Sequence, residues 1–402
     1  MKNNYGDAQF AGGDGTEKDP YLVETPEHLN HVRNNLGAHY VQIDNIDLEN
    51  YIKLNGWEPI GNPESPFTGS FNGSKYKINH LHIGFFKNKG AGLFGCVSSG
   101  ARLKNIRIKN ATINSSGLYA GGIAGILESG SIQHCHVNGE INGRKIVGGI
   151  VGSIKSRGKV DDCSLIATVG GITIKRFVSP EKADDEREDC KGAGGVAGEN
   201  HGTIINCKVY GKIVADFMAG GIAGGNLGKI SNSHANIKIK TEESSGGFVG
   251  GNSGNISCSS VQCDIEGDRF LGGFVGLCKE GTIHDCFSIG RLKGEAVVGG
   301  FIGSNAHKIS TSFAAVNIDA NYYFGGFLAV NEVKDMQDCY YYKDLAQCED
   351  ITGCNPISFH DIVTENTFKN WDFENTWIMP EGGEFPWLEG ATFDPDLYDT
   401  FE

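Results

Sequence analysis

The chain has 402 residues, with 59 glycines, 10 prolines, 12 cysteines and a formal net charge of −14. Glycine stands at about twice its usual share, yet it follows no three-residue period and brings no proline with it, which excludes collagen and proline-rich disorder. The acidic balance argues against nucleic acid or an anionic membrane as a partner held by bulk charge. No apolar run approaches the roughly 18 residues that span a bilayer, so no membrane insertion is expected.

The opening, MKNNYGDAQFAGG, lacks the apolar stretch of a signal peptide. Thr25-Pro26-Glu27 is a helix start, with Thr as N-cap and Pro at the first helical position. It predicts a short helix from Pro26 to about Asn35, placed to cap the N-terminal coil of a repeat array. His28 and His31 lie on that helix and are read as solvated surface. Trp57, Phe67 and Phe71 are expected to fill the first coils, so residues 1–90 form a cap and lead-in.

From Ala91 the chain repeats itself. A Gly-Gly-apolar-apolar-Gly signature stands at 121–125, 148–152, 194–198, 220–224, 246–250, 272–276 and 299–303, with variants at 91–95 and 325–329. The starts at 194, 220, 246, 272 and 299 are 26 or 27 residues apart. A fixed period of that size marks a solenoid. A second column follows each signature: Ile106, Cys135, Cys163, Cys207, Ser233, Ser259, Cys286, Ser312, Cys339. An apolar residue precedes each by three, and strict alternation follows, as in CKVYGKI at 207–213. That is the two-residue period of a strand with one buried face, so residues 91–340 are read as stacked coils of short parallel strands. The glycines are expected to make corners at positive φ and to let backbones approach.

Asn200, Asn226, Asn252, Asn305 and Asn331 recur at one place in the coil, with Cys278 interrupting, and read as a ladder of stacked amides. Cys135, Cys163, Cys207, Cys286 and Cys339 alternate with Ser in the inward column. Neighbouring coils bring such positions within disulfide range, but Ser fills the same sites, so these cysteines read as buried structural thiols. They favour a reducing compartment. A charged insertion at about 171–191 breaks the period. Its Lys175, Arg176, Glu186 and Arg187 make it either a binding loop or a tolerated excursion.

Near the end the outward sites after the small column turn apolar: Phe287 and Ile289, then Phe313, then Tyr340 and Tyr342. Stacked outward aromatics are either a sugar platform or a bed for the tail, residues 341–402, which brings Trp371, Phe373, Trp377, Phe385 and Trp387.

No HExxH is present, Gly228-Lys229 is followed by Ile, and the glycine signatures precede strands, so zincin, P-loop and dinucleotide readings fail. His134-Cys135-His136 sends at most two ligands outward, and no metal site is expected. Asp162, Asp285 and Asp338 precede the small column but are too scattered to pair for glycoside chemistry. No catalytic residue and no cofactor is assigned.

These repeats resemble the GLUG motif, here GLFG at 92–95 and its GGIAG and GGFVG successors. The lead-in at 12–35 and 56–83 and the close at 368–390 are similar to the ends of bacterial repeat proteins of that kind. The resemblance implies an all-β, right-handed parallel β-helix or β-solenoid, with no catalytic set. It also implies an adhesin-like setting at the cell surface or beside immunoglobulin-cleaving metallopeptidase domains.

The expectation is therefore a non-enzymatic binding or scaffold protein that presents a rigid surface to a glycan or protein partner, with Phe287, Phe313, Tyr340 and the insertion as candidate contacts. The alternatives are a polysaccharide-degrading β-helix enzyme and a cytosolic acidic rod acting as assembly component or DNA mimic. The sequence sets neither compartment nor oligomeric state.

Overall fold

The computed structural model of the protein describes residues 9–52, 56–86, 89–165, 172–176, 192–305, 307–331, 335–348, 354–380 and 385–391. It is a parallel β-solenoid of about 10 turns of roughly 27 residues. Each coil pairs in parallel with the next; the register shifts at Ile108–Ala111 and Leu127–Ser129, and no shift occurs in the pairings from Lys208 onward. Lys208 aligns with His234, His234 with Ser260, Ser260 with Phe287, Phe287 with Phe313 and Phe313 with Tyr340. Parallel pairing begins already at Tyr21–Val23 on His39–Gln42, and it continues past the last signature to Asn355–Ile357 on Tyr340–Tyr342.

The interior is a set of columns of like residues. Ile204, Ile230, Ile256, Ile283 and Ile309 stack in register and are buried. The first apolar residue of the signature is aliphatic in the early coils and becomes Phe later. Phe248, Phe274, Phe301 and Phe327 stack with centroids 4.6, 4.8 and 4.6 Å apart, the spacing that the inter-strand distance imposes. A short helix, Pro26–His31, continues as a 3-10 turn, Val32–Asn34, and covers the first coil through Leu29 and Val32. The Thr25 hydroxyl caps it by accepting the His28 N–H at 3.2 Å.

The corners correct one expectation. The signature glycines are not the residues at positive φ. That conformation falls on the residue just before the inward column, in every coil from Asn105 through His134, Asp162, Asn206, Asn232, Cys258, Asp285 and Thr311 to Asp338. A second left-handed column runs through Met218, Ser244, Phe270, Val297 and Tyr323, two residues before the signatures from Gly220 to Gly325. Asn and Asp tolerate this region because their short polar side chains satisfy nearby backbone groups, whereas Thr311 and Val297 are held there by the coil around them.

The glycines serve close approach instead. A Cβ on Gly221, Gly247, Gly273 or Gly300 would overlap the carbonyl oxygen of the matching glycine one coil on. One on Gly220, Gly246, Gly272 or Gly299 would overlap the carbonyl three residues later in its own coil.

The inward Ser/Cys column also has a chemical role. The left-handed corner turns the carbonyl two residues before the column toward it. Ser233, Ser259 and Ser312 donate their hydroxyls to that carbonyl at 2.9, 2.7 and 2.8 Å. Cys135, Cys163, Cys207, Cys286 and Cys339 donate their thiols to the same group at 3.2, 3.4, 3.3, 3.1 and 3.3 Å. The serine oxygens additionally accept a backbone N–H from the preceding coil, from Cys207 at 3.1 Å and from Ser233 at 3.3 Å. The amide column begins as a hydrogen-bonded chain. Asn200 donates to Asn226 and Asn226 to Asn252, each at 2.8 Å, and each side-chain oxygen also accepts a turn N–H two residues on. Asn252 then turns to the Glu280 carbonyl and the Cys278 sulfur. Asn305 and Asn331 align with this column by backbone register, and their side chains lie outside the described set.

Two substitutions separate close approach from backbone strain. Gly247→Ala forces a methyl into the Gly273 carbonyl and is expected to cost more than about 3 kcal/mol, because backbone on both sides cannot relax. Val297→Asn removes a β-branched residue from a left-handed corner and is expected to stabilise by roughly 1 kcal/mol. Chemical denaturation of both variants against the native chain measures the pair. A stabilised Gly247→Ala or a strongly destabilised Val297→Asn contradicts the assignment.

Candidate functional site

Beyond Asn355–Ile357 the chain no longer continues the coil; it folds back along the outer face. Phe287 and Phe313 are fully buried and Tyr340 nearly so. They form a second apolar cluster with Ile357, Ile362, Phe368, Trp371, Trp377 and Leu388, against which Phe373, Phe385 and Trp387 pack. Phe287 meets Trp387 edge-on at 5.5 Å, Phe313 meets Phe368 edge-on at 6.4 Å, and Tyr340 meets Trp371 edge-on at 5.9 Å. The sugar-platform alternative is thereby corrected: Phe287, Phe313 and Tyr340 have no surface left to offer a ligand, because the tail has taken it. Lys175 and Arg176 belong to a strand, Ile172–Arg176, paired with Gly211–Val214. The coil therefore reaches into the expected insertion. The side chains of that strand, and Glu186 and Arg187 altogether, lie outside the described residues.

Polar groups at the corner column pin the tail. Trp377 donates its indole N–H to the Asp285 carboxylate at 3.2 Å. Trp371 donates to the Asp338 carbonyl at 3.0 Å and Asn370 to the Asp338 carboxylate at 3.0 Å. Asp285 is held below the usual carboxylate range despite its burial, because His284, Thr311 and Trp377 all hydrogen-bond to it. Two of the three scattered aspartates thus anchor the tail. The third, Asp162, pairs with His134 at 2.6 Å and stays exposed.

A cleft of about 400 Å³ opens between this face and the described part of the tail. Its lining includes Asp162, Asn206, Asn232 and Cys258 from the left-handed corner column, and Lys208 and His234 from the outward positions beside it. Asn375, Thr376, Leu388, Glu389 and Gly390 of the tail complete it. The outward column is therefore divided. Its aromatic half lies under the tail, and Lys208 and His234, at the polar end, line the cleft.

His234 is buried, its Nδ1 lies 2.7 Å from the Ser260 hydroxyl, and burial together with the neighbouring Lys208 pushes its pKa down to about 4. Cys258 is half-buried, and burial with the nearby Asp285 raises its thiol. The strands beneath the cleft, Lys208–Gly220 and His234–Gly246, are each paired on both sides, so the floor has no free edge.

Elsewhere, Asp47, Glu49 and His80 bring ligand atoms within 4.8 Å of one another on the lead-in coils. His80 Nδ1 lies 2.8 Å from Asp47. Sequence reasoning missed this group because Asp47 and His80 meet only through the pairing of Asp47 with Asn79. It missed the cleft for the same kind of reason, since coil register and tail docking together assemble it.

No family model matches the chain. A protein of Evansella cellulosilytica, named as a Gly-rich membrane protein, is 31% identical over 179 residues, covering 36% of this chain and 21% of its own length. Halomucin of Haloquadratum walsbyi is 32% identical over 155 residues, covering 36% of this chain and 2% of its own. The chain thus spans a small part of the length of either relative. Among solved structures, one named as an immunoglobulin A1 protease of Bacteroides ovatus covers 96% of both chains at 18% identity with a TM-score of 0.48. Another, named IgA1 Protease, covers 75% of this chain and 22% of its own at 17% identity with a TM-score of 0.43.

The buried imidazole fixes a pH dependence. The folded state resists protonating His234, so the unfolded chain takes up the proton first. Stability is whole above about pH 6.5 and declines as pH falls toward 4, by on the order of 3 kcal/mol in all. His234→Gln is expected to flatten that decline in urea titrations between pH 7 and 4.5. An unchanged slope would mean that other groups set it.

Proposed function

We propose that the chain is a GLUG-type, adhesin-like binding scaffold, a rigid rod that presents its lateral face to a glycan or protein partner without transforming it. The observation that supports this most is the register. Coil after coil places equivalent side chains at one spacing, locked by the amide, Ser/Cys and phenylalanine columns. A surface so fixed loses little conformational entropy on binding. The tail adds to this by covering the aromatic stripe while leaving a polar cleft at its edge. The name of the Gly-rich relative supports a membrane-associated setting for repeats of this kind.

The test is retention of the full chain on an array of neutral and acidic glycans and of purified surface glycoproteins, with a parallel assay for new reducing ends and unsaturated uronides. Retention without product is expected. Turnover of any glycan, or retention of none of the ligands, overturns the reading.

A further inference from the structure

Resting on the scaffold reading, we infer that the cleft at the edge of the C-terminal tail is a saccharide subsite for a neutral, hydroxyl-rich sugar unit. Its volume of about 400 Å³ falls within the range of small-ligand sites. Its chemistry is that of hydroxyl recognition. Asn232 offers an amide that donates and accepts, Asn206 and Asn375, whose amide nitrogens donate to Asp161 and Asp372, offer their side-chain oxygens, and Asp162, Glu389 and Lys208 add carboxylates and an ammonium. A sugar hydroxyl also donates and accepts, so closely spaced groups of both kinds can pair a ring's hydroxyls together. Two carboxylates face one ammonium, and the imidazole of His234 is uncharged near neutral pH. With Asp162 paired to His134 at 2.6 Å, uronates, sulfated sugars and nucleic acid phosphates find no excess of positive charge there to pair with.

A peptide fits less well. The floor strands are paired on both sides, so no edge is free for an added strand. The apolar lining residue, Leu388, is itself buried, so there is no pocket for an apolar anchor.

The site is also built in advance of any ligand. Asp162, Asn206, Asn232 and Cys258 leave the backbone from left-handed corners at φ 48, 55, 47 and 46°. Those corners are fixed by the coils above and below.

Cys258 makes the proposal testable at the site itself. In the full-length chain, maleimide labelling of Cys258 at mildly alkaline pH, located by peptide mass mapping, is followed with and without cello-, malto-, xylo- and chito-oligosaccharides, oligogalacturonate, and a mixed peptide pool. At least one neutral oligosaccharide is expected to slow labelling of Cys258. Asn232→Gly, which keeps the left-handed corner and deletes the amide, and Lys208→Met are each expected to weaken calorimetric binding by about tenfold, with the thermal midpoint retained.

Protection by oligogalacturonate or peptide alone overturns the neutral class. Glycan retention with Cys258 labelled at an unchanged rate, or undiminished by both variants, places the ligand elsewhere; it overturns the inference and leaves the scaffold reading standing. Retention of no glycan, with a glycoprotein held through its polypeptide, also removes the subsite alone. Retention of no ligand at all removes both.

Discussion

Every coil depends on the left-handed residue that precedes the inward column. A short parallel strand cannot turn through a corner without misdirecting a carbonyl, and in a stacked coil that carbonyl points toward the dry interior. It accepts the N–H of the left-handed residue one coil back, Asp161 from His134, Ile205 from Asp162, Ser231 from Asn206 and Ser257 from Asn232, and a second lone pair remains to be met. Ser or Cys at the next position donates to it within a single residue's reach. With the carbonyl satisfied, the strands can lie flush, the glycine carbonyls can approach one another across coils, and the isoleucine and phenylalanine columns can close. The asparagine column does the same work at another corner, pairing turn amides below and the next amide above. The apolar core thus follows from corners that leave no polar group unpaired.

The same corners govern how the rod ends. A parallel solenoid has no natural last strand, and its terminal coil would offer unpaired backbone to any partner. Here the outward face turns aromatic over the last coils, and the tail packs its tryptophans across it. The aspartates at two corners, Asp285 and Asp338, accept hydrogen bonds from the tail. One corner position therefore serves the backbone turn in every coil and holds the tail in the last ones. Beside Asn375, Thr376, Leu388, Glu389 and Gly390 of the tail, the polar residues at that position and next to it line the cleft.

The parts legible in the sequence were those that repeat at the coil period. The 26-residue step, the inward column, the alternation of Cys207 to Ile213 and the Asn200–Asn226–Asn252 chain each state a spatial neighbour as a fixed offset. The left-handed corner was hidden because its residue types are mixed. Asn, Asp and His suit it, but Cys258 and Thr311 occupy it as well, since the fold outweighs a local preference worth about 1–2 kcal/mol. The signature glycines drew the eye to positive φ, although their real constraint is contact between backbones, which a single chain cannot display. Whether Phe287, Phe313 and Tyr340 face solvent or the tail depended on where residues 368–380 and 385–388 return, and no periodicity encodes that. Lys208 and Asn375 share a cleft for the same unencoded reason.

The choice of Cys or Ser in the inward column follows from proton chemistry as much as from size. The thiol stabilises its corner only while it keeps its proton, because only S–H can donate to the carbonyl. Burial enforces this by raising the pKa of Cys207 and of Cys339 to about 12. Thiols so raised are poor nucleophiles and poor partners in disulfide exchange. Joining Cys163 to Cys207 would consume both thiol donors and leave the Asp161 and Ile205 carbonyls with the backbone N–H of His134 and Asp162 alone. The column can therefore hold cysteines in neighbouring coils without cross-linking them. Both side chains also meet a backbone N–H of the preceding coil: Ser233 accepts it from Cys207, and the N–H groups of Cys163 and Ser259 act on the Cys207 and Cys286 thiols against the effect of burial.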